Sequence, residues 1–288
     1  MKFAYYPGCS LNATSIEYNL STKALARKLE IELWEIPQWN CCGAFYAQKK
    51  SRLLAVALPA RNLALAERNG LNVAVNCAAC YNKLKAAREA VKTSVELQKK
   101  VSEVIEMEYI ASNDVLSIIE VFEREYGLDK IASRVEKPLA GLKVVSYYGC
   151  LLVRPAELAM DDQEDPQSLD RIVAALGGIP VDWSQKVECC GAFHSTYNAA
   201  TGFQIISNIL AAAVEAGADC VACACPVCML NLDMRQGNIN KVKKTNFQMP
   251  VFYFTELMGL AMGISPKELG IKKHFIDPQP LLKARNLL

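Results

Sequence analysis

Short apolar segments alternate along the chain with longer amphipathic ones. The short segments are rich in β-branched and aromatic residues, which favours strands, whereas the longer ones carry apolar residues at helical spacing. The predicted strands cover 2–6, 31–36, 72–76, 142–148, 179–183 and 219–224. The predicted helices cover 14–29, 52–69, 165–176 and 198–216. This alternation predicts an α/β protein with mainly parallel sheet and helical crossovers.

Two segments lie outside this alternation. Residues 93–136 are charged and have a helical pattern, and residues 245–288 contain an apolar patch at 251–263 followed by a basic, proline-containing tail. We therefore predict four parts: a first half (1–92), a helical linker (93–140), a second half (141–244) and a C-terminal tail (245–288) that packs on the core or on a partner.

The chain repeats itself. In each half a cysteine follows the first predicted strand, a Cys-Cys-Gly sequence follows the second, and a C-x-x-C pair follows the third. The cysteines are Cys9, Cys41, Cys42, Cys77 and Cys80 in the first half, and Cys150, Cys189, Cys190, Cys225 and Cys228 in the second. In both halves 34 residues separate the double cysteine from the C-x-x-C pair. This matched spacing predicts two related halves with a pseudo-twofold relation.

The composition makes these cysteines the main chemical feature. A chain of 288 residues can bury a sizeable core without disulfides, yet it contains twelve cysteines. Its net charge of +2 gives no sign of a nucleic-acid partner. The most apolar stretch, 205–232, is interrupted by charged residues and a proline, so no membrane span is predicted. Without a secretory signal at the amino terminus, we expect a cytoplasmic protein, in which clustered cysteines more often bind metal or do redox chemistry.

Because sites in open parallel sheets form beyond the carboxyl ends of the strands, the five cysteines of each half are expected to converge. A structural zinc ion takes four ligands, which fits five cysteines poorly, and a simple C-x-x-C redox pair leaves three cysteines unexplained. Iron–sulfur ligation fits best, since thiolates are the usual cluster ligands. An electron-relay protein without substrate chemistry and a zinc-organised assembly module remain alternatives. Cys220 and Cys223 fall outside the repeat, and Cys220 is predicted to be a buried strand residue.

The doubled cysteine pattern resembles the duplicated cysteine-rich (CCG) domain in the B subunit of heterodisulfide reductase. The resemblance implies an oxidoreductase with two non-cubane 4Fe–4S clusters, one held by the five cysteines of each half. It implies two-electron reduction, or reverse formation, of a disulfide whose sulfurs are each captured at one cluster; in methanogens this is the coenzyme B–coenzyme M heterodisulfide. It also implies two partners from the same complex, the ferredoxin-like C subunit together with the flavin-containing A subunit.

The substrate is less well defined by this resemblance. Both double cysteines lie in the sequence Cys-Cys-Gly-Ala-Phe, which is similar to relatives from sulfate reducers, sulfur oxidisers and acetogens. That similarity implies another disulfide, such as a cysteine disulfide on a small carrier protein. No G-x-G-x-x-G sequence follows a strand, so neither flavin nor nicotinamide is predicted in this chain. The predicted contact with the ferredoxin-like partner is the tail after Thr245.

Other candidate residues lie near the cysteines. His194 follows Cys190 by four residues and is a candidate proton donor to a departing thiolate; the alternative is a side chain that packs beside the cluster and tunes it. Four basic residues are candidates for binding an anionic substrate, with a solvated surface as the alternative: Lys49, Lys50, Arg52 and Arg154. His274, in the basic tail, is predicted to lie at the surface.

Overall fold

The protein contains two four-stranded parallel sheets. A computed structural model describes residues 1–44, 46–192 and 194–288. Within these residues the first sheet contains β1 (Lys2–Tyr6), β2 (Glu32–Glu35), β3 (Val73–Val75) and β4 (Val115–Ser117). The second contains β5 (Lys143–Tyr147), β6 (Ile179–Pro180), β7 (Cys220–Cys223) and β8 (Val251–Tyr253). The strand orders, β2-β1-β3-β4 and β6-β5-β7-β8, are equivalent, which confirms the predicted α/β fold built from two related halves.

Helices connect the strands in both parts of the chain. The first part contains α1 (Gly8–Leu11), α2 (Ile16–Lys28), α3 (Ala47–Lys50), α4 (Arg52–Glu67), α5 (Ala78–Thr93), α6 (Val95–Ile105), α7 (Ile118–Glu120), a π-helical segment (Val121–Gly127) and α8 (Leu128–Ser133). The second part contains α9 (Ser168–Ala175), α10 (His194–Tyr197), α11 (Ala199–Glu215), α12 (Pro226–Met234), α13 (Gln236–Lys243), α14 (Phe254–Ala261), α15 (Pro266–Leu269) and α16 (Gln279–Ala284). Short 3-10 turns cover Ala156–Leu158 and Ile271–Lys273.

The strand register brings the carboxyl ends of the two inner strands of each sheet together. Tyr6, the last residue of β1, pairs with Val75 of β3, and Tyr147, the last residue of β5, pairs with Cys223 of β7. In each half the first cysteine follows the end of its strand within three positions, and so does the first cysteine of the C-x-x-C pair. The parallel sheet therefore places both groups of cysteines at the same edge.

Two edge strands were missed by the hydrophobic pattern. The strand β4 lies in the segment expected to be a helical linker, and β8 lies in the segment expected to be a tail. Each has only three residues, which is too short for an alternating pattern to be distinguished from the apolar start of the helix that follows. Pairing with the neighbouring strand, β3 or β7, fixes each of them in the sheet.

The C-terminal segment joins the two halves. The helix α14 follows β8 and packs against α2 of the first half, where the rings of Tyr18 and Tyr253 stack with centroids 4.0 Å apart. The hydroxyls of Ser21 and Thr255 lie 2.7 Å apart in the buried interface. The apolar patch therefore packs on the core of this chain, one of the two placements predicted for the tail; contact between the tail and a partner protein stays a prediction.

The prediction of a surface position for His274 is also wrong. Its imidazole is fully buried, and its Nε2 lies 2.9 Å from Oε1 of the equally buried Glu256. Burial by itself lowers the pKa of His274, but the Glu256 carboxylate acts against it and raises the pKa to about 9. The basic residues around His274 in the sequence suggested a solvated segment, whereas the fold encloses the imidazole beside a carboxylate.

None of the helices in the described part of the chain is long and apolar enough to cross a membrane.

Candidate functional site

The first cysteine of each half follows a glycine that only the tertiary structure explains. Gly8 and Gly149 both have positive φ, +68° and +66°. A Cβ atom on Gly8 would lie 3.3 Å from the Cys80 sulfur, and one on Gly149 would lie 3.0 Å from the Cys228 sulfur. Glycine at these positions therefore lets the end of the first strand approach the last cysteine of its own half.

A tyrosine holds the double-cysteine turn in each half. The Tyr6 hydroxyl at the end of β1 donates to the carbonyl of Asn40 at 2.9 Å, and the Tyr147 hydroxyl at the end of β5 donates to the carbonyl of Glu188 at 2.6 Å. Both acceptors directly precede the double cysteine. The inner strand of each sheet thus fixes the turn that carries two of the five thiols.

The C-x-x-C pairs lie at helix N-termini. Cys77 is the N-cap of α5, and Cys225 is the N-cap of α12, so Cys80 and Cys228 lie in the first turn of these helices. The partial positive charge of a helix N-terminus stabilises a nearby thiolate. Because the thiolate is the form that binds metal, the helix N-terminus acts in favour of ligation, against neighbouring thiols and burial, which raise the pKa of Cys80 and Cys228.

The ten thiols of the repeat form a chain of contacts. In the first half the contacts are Cys9–Cys41, Cys42–Cys80 (3.4 Å between sulfurs) and Cys77–Cys80. In the second half they are Cys150–Cys189, Cys190–Cys228 and Cys225–Cys228. A further contact, between Cys77 and Cys225, joins the two halves. The structure therefore gathers the five repeat cysteines of each half and sets the two groups side by side.

One thiol in each double-cysteine turn has a lowered pKa. The Cys150 thiol lowers the pKa of Cys189 to about 6, and backbone N–H groups of Gly191 and Ala192 assist against partial burial. The Cys80 thiol likewise lowers the pKa of Cys42 to about 7. Each of these residues belongs to a double-cysteine turn and obtains anion stabilisation from neighbouring donors. Neighbouring thiols and burial raise the pKa of Cys80, Cys150 and Cys228 instead, so the lowered pKa belongs to individual thiols and not to each group as a whole.

A cavity of about 230 Å³ lies at the second group of cysteines. All five second-half repeat cysteines line it, together with apolar side chains and His194. Two further lining residues, Ala78 and Ala79, come from the C-x-x-C segment of the first half. The second group therefore lines a partly open apolar cavity to which both halves contribute.

The arrangement of the thiols suits a cluster of metal atoms. Among the described residues, no three Cys, His, Asp or Glu side chains are arranged to hold one metal ion. The second-half thiols instead lie around a cavity, and the donor set in each half is five sulfurs. Sulfur donors spread around a space are what an iron–sulfur cluster requires, since its irons are held by separate thiolates.

The two groups differ in their exposure to solvent. Cys9 and Cys41 of the first half are both exposed, whereas in the second half Cys189 is exposed and Cys150 only partly so. The three remaining repeat cysteines in each half are buried. The first group therefore presents more thiol surface to an approaching molecule than the second.

The other candidates have varied surroundings. His194 lines the cavity, close enough to Cys189 to lower the pKa of its thiol, but its side chain is otherwise exposed. Arg154 pairs with Glu164 at 3.1 Å. The three basic residues after the first double cysteine lie on exposed surface: Lys49, Lys50 and Arg52.

Both cysteines outside the repeat lie in β7. Cys220 is buried beside Asp219, and the Cys223 thiol donates to the carbonyl of Cys225 at 3.5 Å. Phe45 and Phe193, which complete the Cys-Cys-Gly-Ala-Phe sequences, lie outside the described residues.

Sequence reasoning missed the residues that hold the thiols in place. Tyr6 and Tyr147 hold equivalent turns, and Gly8 and Gly149 directly precede the first cysteine of each half. The recurrence of tyrosine and glycine at both strand ends was the available signal. A tyrosine or a glycine at a strand end is common and does not by itself indicate a role. The recurrence can therefore be interpreted only once the structure shows what these residues contact.

A family model described as the cysteine-rich domain, CCG, matches residues 3–85 and 144–233, and each match includes all five repeat cysteines of its half. The chain belongs to this family. Curated relatives extend the match over nearly the whole chain. The B subunit of a CoB–CoM heterodisulfide reductase from Methanosarcina acetivorans is 34% identical, covering 96% of this chain and 94% of the relative. The corresponding protein from Methanosarcina mazei is 32% identical over 96% of this chain and 94% of the relative.

Another relative has a name that indicates a different role. The 8-methylmenaquinol:fumarate reductase membrane anchor subunit from Wolinella succinogenes is 36% identical, covering 97% of this chain and 99% of the relative. Among solved structures, a hypothetical protein from Helicobacter pylori has a similar fold, with a TM-score of 0.79 and 16% identity. The match covers 96% of this chain and 52% of that longer one. This last similarity supports the fold alone.

Proposed function

We propose that the protein is the catalytic subunit of a heterodisulfide-reductase-like complex, which reduces or forms a disulfide at two non-cubane 4Fe–4S clusters. The observation that carries this proposal is the pair of five-thiol groups at equivalent sheet edges, joined by the contact between Cys77 and Cys225. Relatives named as B subunits of heterodisulfide reductases support the reaction class. The substrate is a disulfide, either the coenzyme B–coenzyme M heterodisulfide or another small or carrier-bound disulfide.

The ligands would be the repeat cysteines, five to each cluster. When bound, the clusters would supply electrons and iron sites with affinity for sulfur. Helix N-termini and backbone N–H groups of this chain favour the thiolate form that ligation needs. Glycines at 8 and 149 give the room for the last cysteine of each half. Cysteines 220 and 223 have no place in this ligand set.

The residues around the second group would shape substrate entry. The cavity has an apolar lining that would exclude water. His194, which also lines it, would give a proton to the departing thiolate. With neither flavin nor nicotinamide proposed in this chain, electrons would arrive from partners, the ferredoxin-like C subunit together with the flavin-containing A subunit. We propose that this complex works in the cytoplasm.

Metal content tests the ligand assignment. The anaerobically purified chain is expected to contain about eight iron atoms and matching acid-labile sulfide, about four to each cluster. In Cys189→Ala, the second cluster should be lost, leaving about half of the iron. The matched control, Cys220→Ala, should retain all of it, because that thiol lies in β7 outside both groups. Zinc in place of iron, or equal iron loss in the two variants, would reject the assignment.

A second experiment tests substrate chemistry. The reduced chain is mixed with a disulfide, and the paramagnetic signal of the clusters is followed. A new signal that requires the disulfide, together with slower product formation in His194→Gln, supports catalysis at the clusters. A signal identical with and without the disulfide would leave electron relay as the role of the chain.

Electron relay in a quinol-linked complex is the second candidate function. It is favoured by the 36% identity, over almost the full length of both chains, to the membrane anchor subunit of a menaquinol:fumarate reductase. In that case the clusters would exchange electrons with a quinol-oxidising or fumarate-reducing partner. Reoxidation of the reduced chain by a menaquinone analogue, with no response to disulfides, would decide in favour of this candidate.

A further inference from the structure

The surface around the first group of cysteines is basic, whereas the equivalent surface of the second half is not. From Ile36 to Ala66 the chain contains no aspartate or glutamate and four basic residues, Lys49, Lys50, Arg52 and Arg61. The equivalent segment, Ser184–Val214, contains one lysine and one glutamate. Since both halves have the same five cysteines, this positive charge is not a requirement of the ligand set.

The basic residues lie next to the exposed thiols. The backbone N–H groups of Tyr46 and Ala47 donate to the carbonyl of Gly43, so α3 begins directly after the double-cysteine turn. This short helix carries Lys49 and Lys50, and Arg52 starts the next helix. On the other side, the Arg61 guanidinium donates to Oδ1 of Asn40, the neighbour of Cys41. We call Lys49, Lys50, Arg52 and Arg61 the basic rim.

The basic rim is available to a partner. In the described part of the chain, Lys49, Lys50 and Arg52 are exposed, and none of the three forms an ion pair. The Tyr46 side chain beside them is 67% exposed. Arginine and aromatic side chains are enriched at protein interfaces, and this surface offers both.

We propose that the basic rim docks an acidic electron-carrier protein, so that electrons enter at the first group of cysteines. This inference rests on the proposed function. The exposed thiols Cys9 and Cys41 mark where a donor approaches the first cluster site most closely. None of the basic rim lines the cavity at the second group, so a small anionic substrate bound there would not contact the rim. In this proposal the duplicated halves have diverged into an electron-entry side and a side with an apolar cavity.

The proposal is tested by the rate at which reduced ferredoxin reduces the clusters of the complete, cluster-loaded chain. The probe is a small acidic ferredoxin, and the variant is the triple Lys49→Gln/Lys50→Gln/Arg52→Gln. Because opposite charges accelerate association, the variant should be reduced about tenfold more slowly at low salt, and the difference should shrink as salt is added. The control triple, Lys92→Gln/Lys99→Gln/Lys241→Gln, removes the same charge from exposed positions on α5, α6 and α13, outside both the basic rim and the tail, and should match the wild type.

Two readouts separate docking from cluster loss. Photoreduced deazaflavin needs no docking surface and should reduce all three proteins at the same rate. Carbodiimide cross-linking of the chain to ferredoxin should yield peptides joined through Lys49 or Lys50. If the chain holds no clusters, iron analysis and the rate of reduction by deazaflavin show their absence. That result would contradict the proposed function and not the docking of ferredoxin at the basic rim.

Equal ferredoxin rates in the two triple variants would overturn the proposal. It would also be overturned if the rim variant kept the wild-type ferredoxin rate but had a raised KM for an anionic disulfide. In that case the basic rim would bind substrate.

Discussion

At the scale of single residues, the site depends on glycines that give space to sulfur. Gly149 has positive φ, and the Cys228 sulfur lies 3.0 Å from where its Cβ would be. Gly217 has a similar φ of +72°, but nothing lies within 4 Å of its Cβ position. A substitution at Gly217 therefore introduces backbone strain alone, whereas one at Gly149 also crowds a thiol.

Gly149→Ala is expected to remove iron from the second group of cysteines, because the methyl group displaces the Cys228 sulfur. Gly217→Ala should only lower the free energy of unfolding by about 1 kcal/mol, the strain of a left-handed backbone. Iron per chain and thermal unfolding measure the two effects. Full iron content in Gly149→Ala would show that the site tolerates the shift.

At the scale of elements, the tail helix α14 is an integral part of the core. Its Gly259 faces Leu269, and a Cβ there would lie 2.4 Å from a Leu269 methyl carbon. By contrast, a Cβ on Gly237 in α13 would meet nothing within 4 Å. One helix is packed too closely for a methyl group, and the other has room for one.

Gly259→Ala should destabilise the protein by about 1–3 kcal/mol through overpacking. Gly237→Ala should stabilise it by about 0.5–1 kcal/mol, because alanine favours the helix without a clash. Chemical denaturation of both variants checks the pair. Equal effects in the two would mean that the tail is not packed as described. In Gly259→Ala/Leu269→Ala the smaller side chain at 269 removes the clash, so the double variant should be less destabilised than the sum of the two single variants.

At the scale of the whole molecule, a buried charged group links the tail to both halves. His274 pairs with Glu256 on α14, and Asp233 on α12 accepts the backbone N–H groups of Phe275 and Ile276. Glu17 on α2 also acts on the imidazole. The pKa of His274 in the folded protein, about 9, lies above the usual value near 6.5. The contribution of His274 to the free energy of unfolding is therefore complete below about pH 6.5 and is lost as the pH rises through about 9.

His274→Gln should therefore be most destabilising near pH 6, by about 3 kcal/mol, with the difference from wild type shrinking toward about pH 9.5. Unfolding free energies across this range measure the effect. Lys272→Gln, at an exposed neighbour, should leave the pH dependence unchanged. A difference between His274→Gln and wild type that is independent of pH would mean that the imidazole is not charged in the folded protein.

The sequence by itself determined the duplication, the α/β class and all four inner strands, β1, β3, β5 and β7. It also picked out the ten repeat cysteines as candidate ligands, because matched spacing and helix or strand periodicity are local properties of the chain. Tertiary structure alone decided three features: β4 and β8 as edge strands, the enclosure of His274, and the contact between Cys77 and Cys225. Each depends on segments far apart in sequence, so packing fixed them and local pattern could not. The difference in solvent exposure between the two groups of thiols is also set by the packing of distant segments.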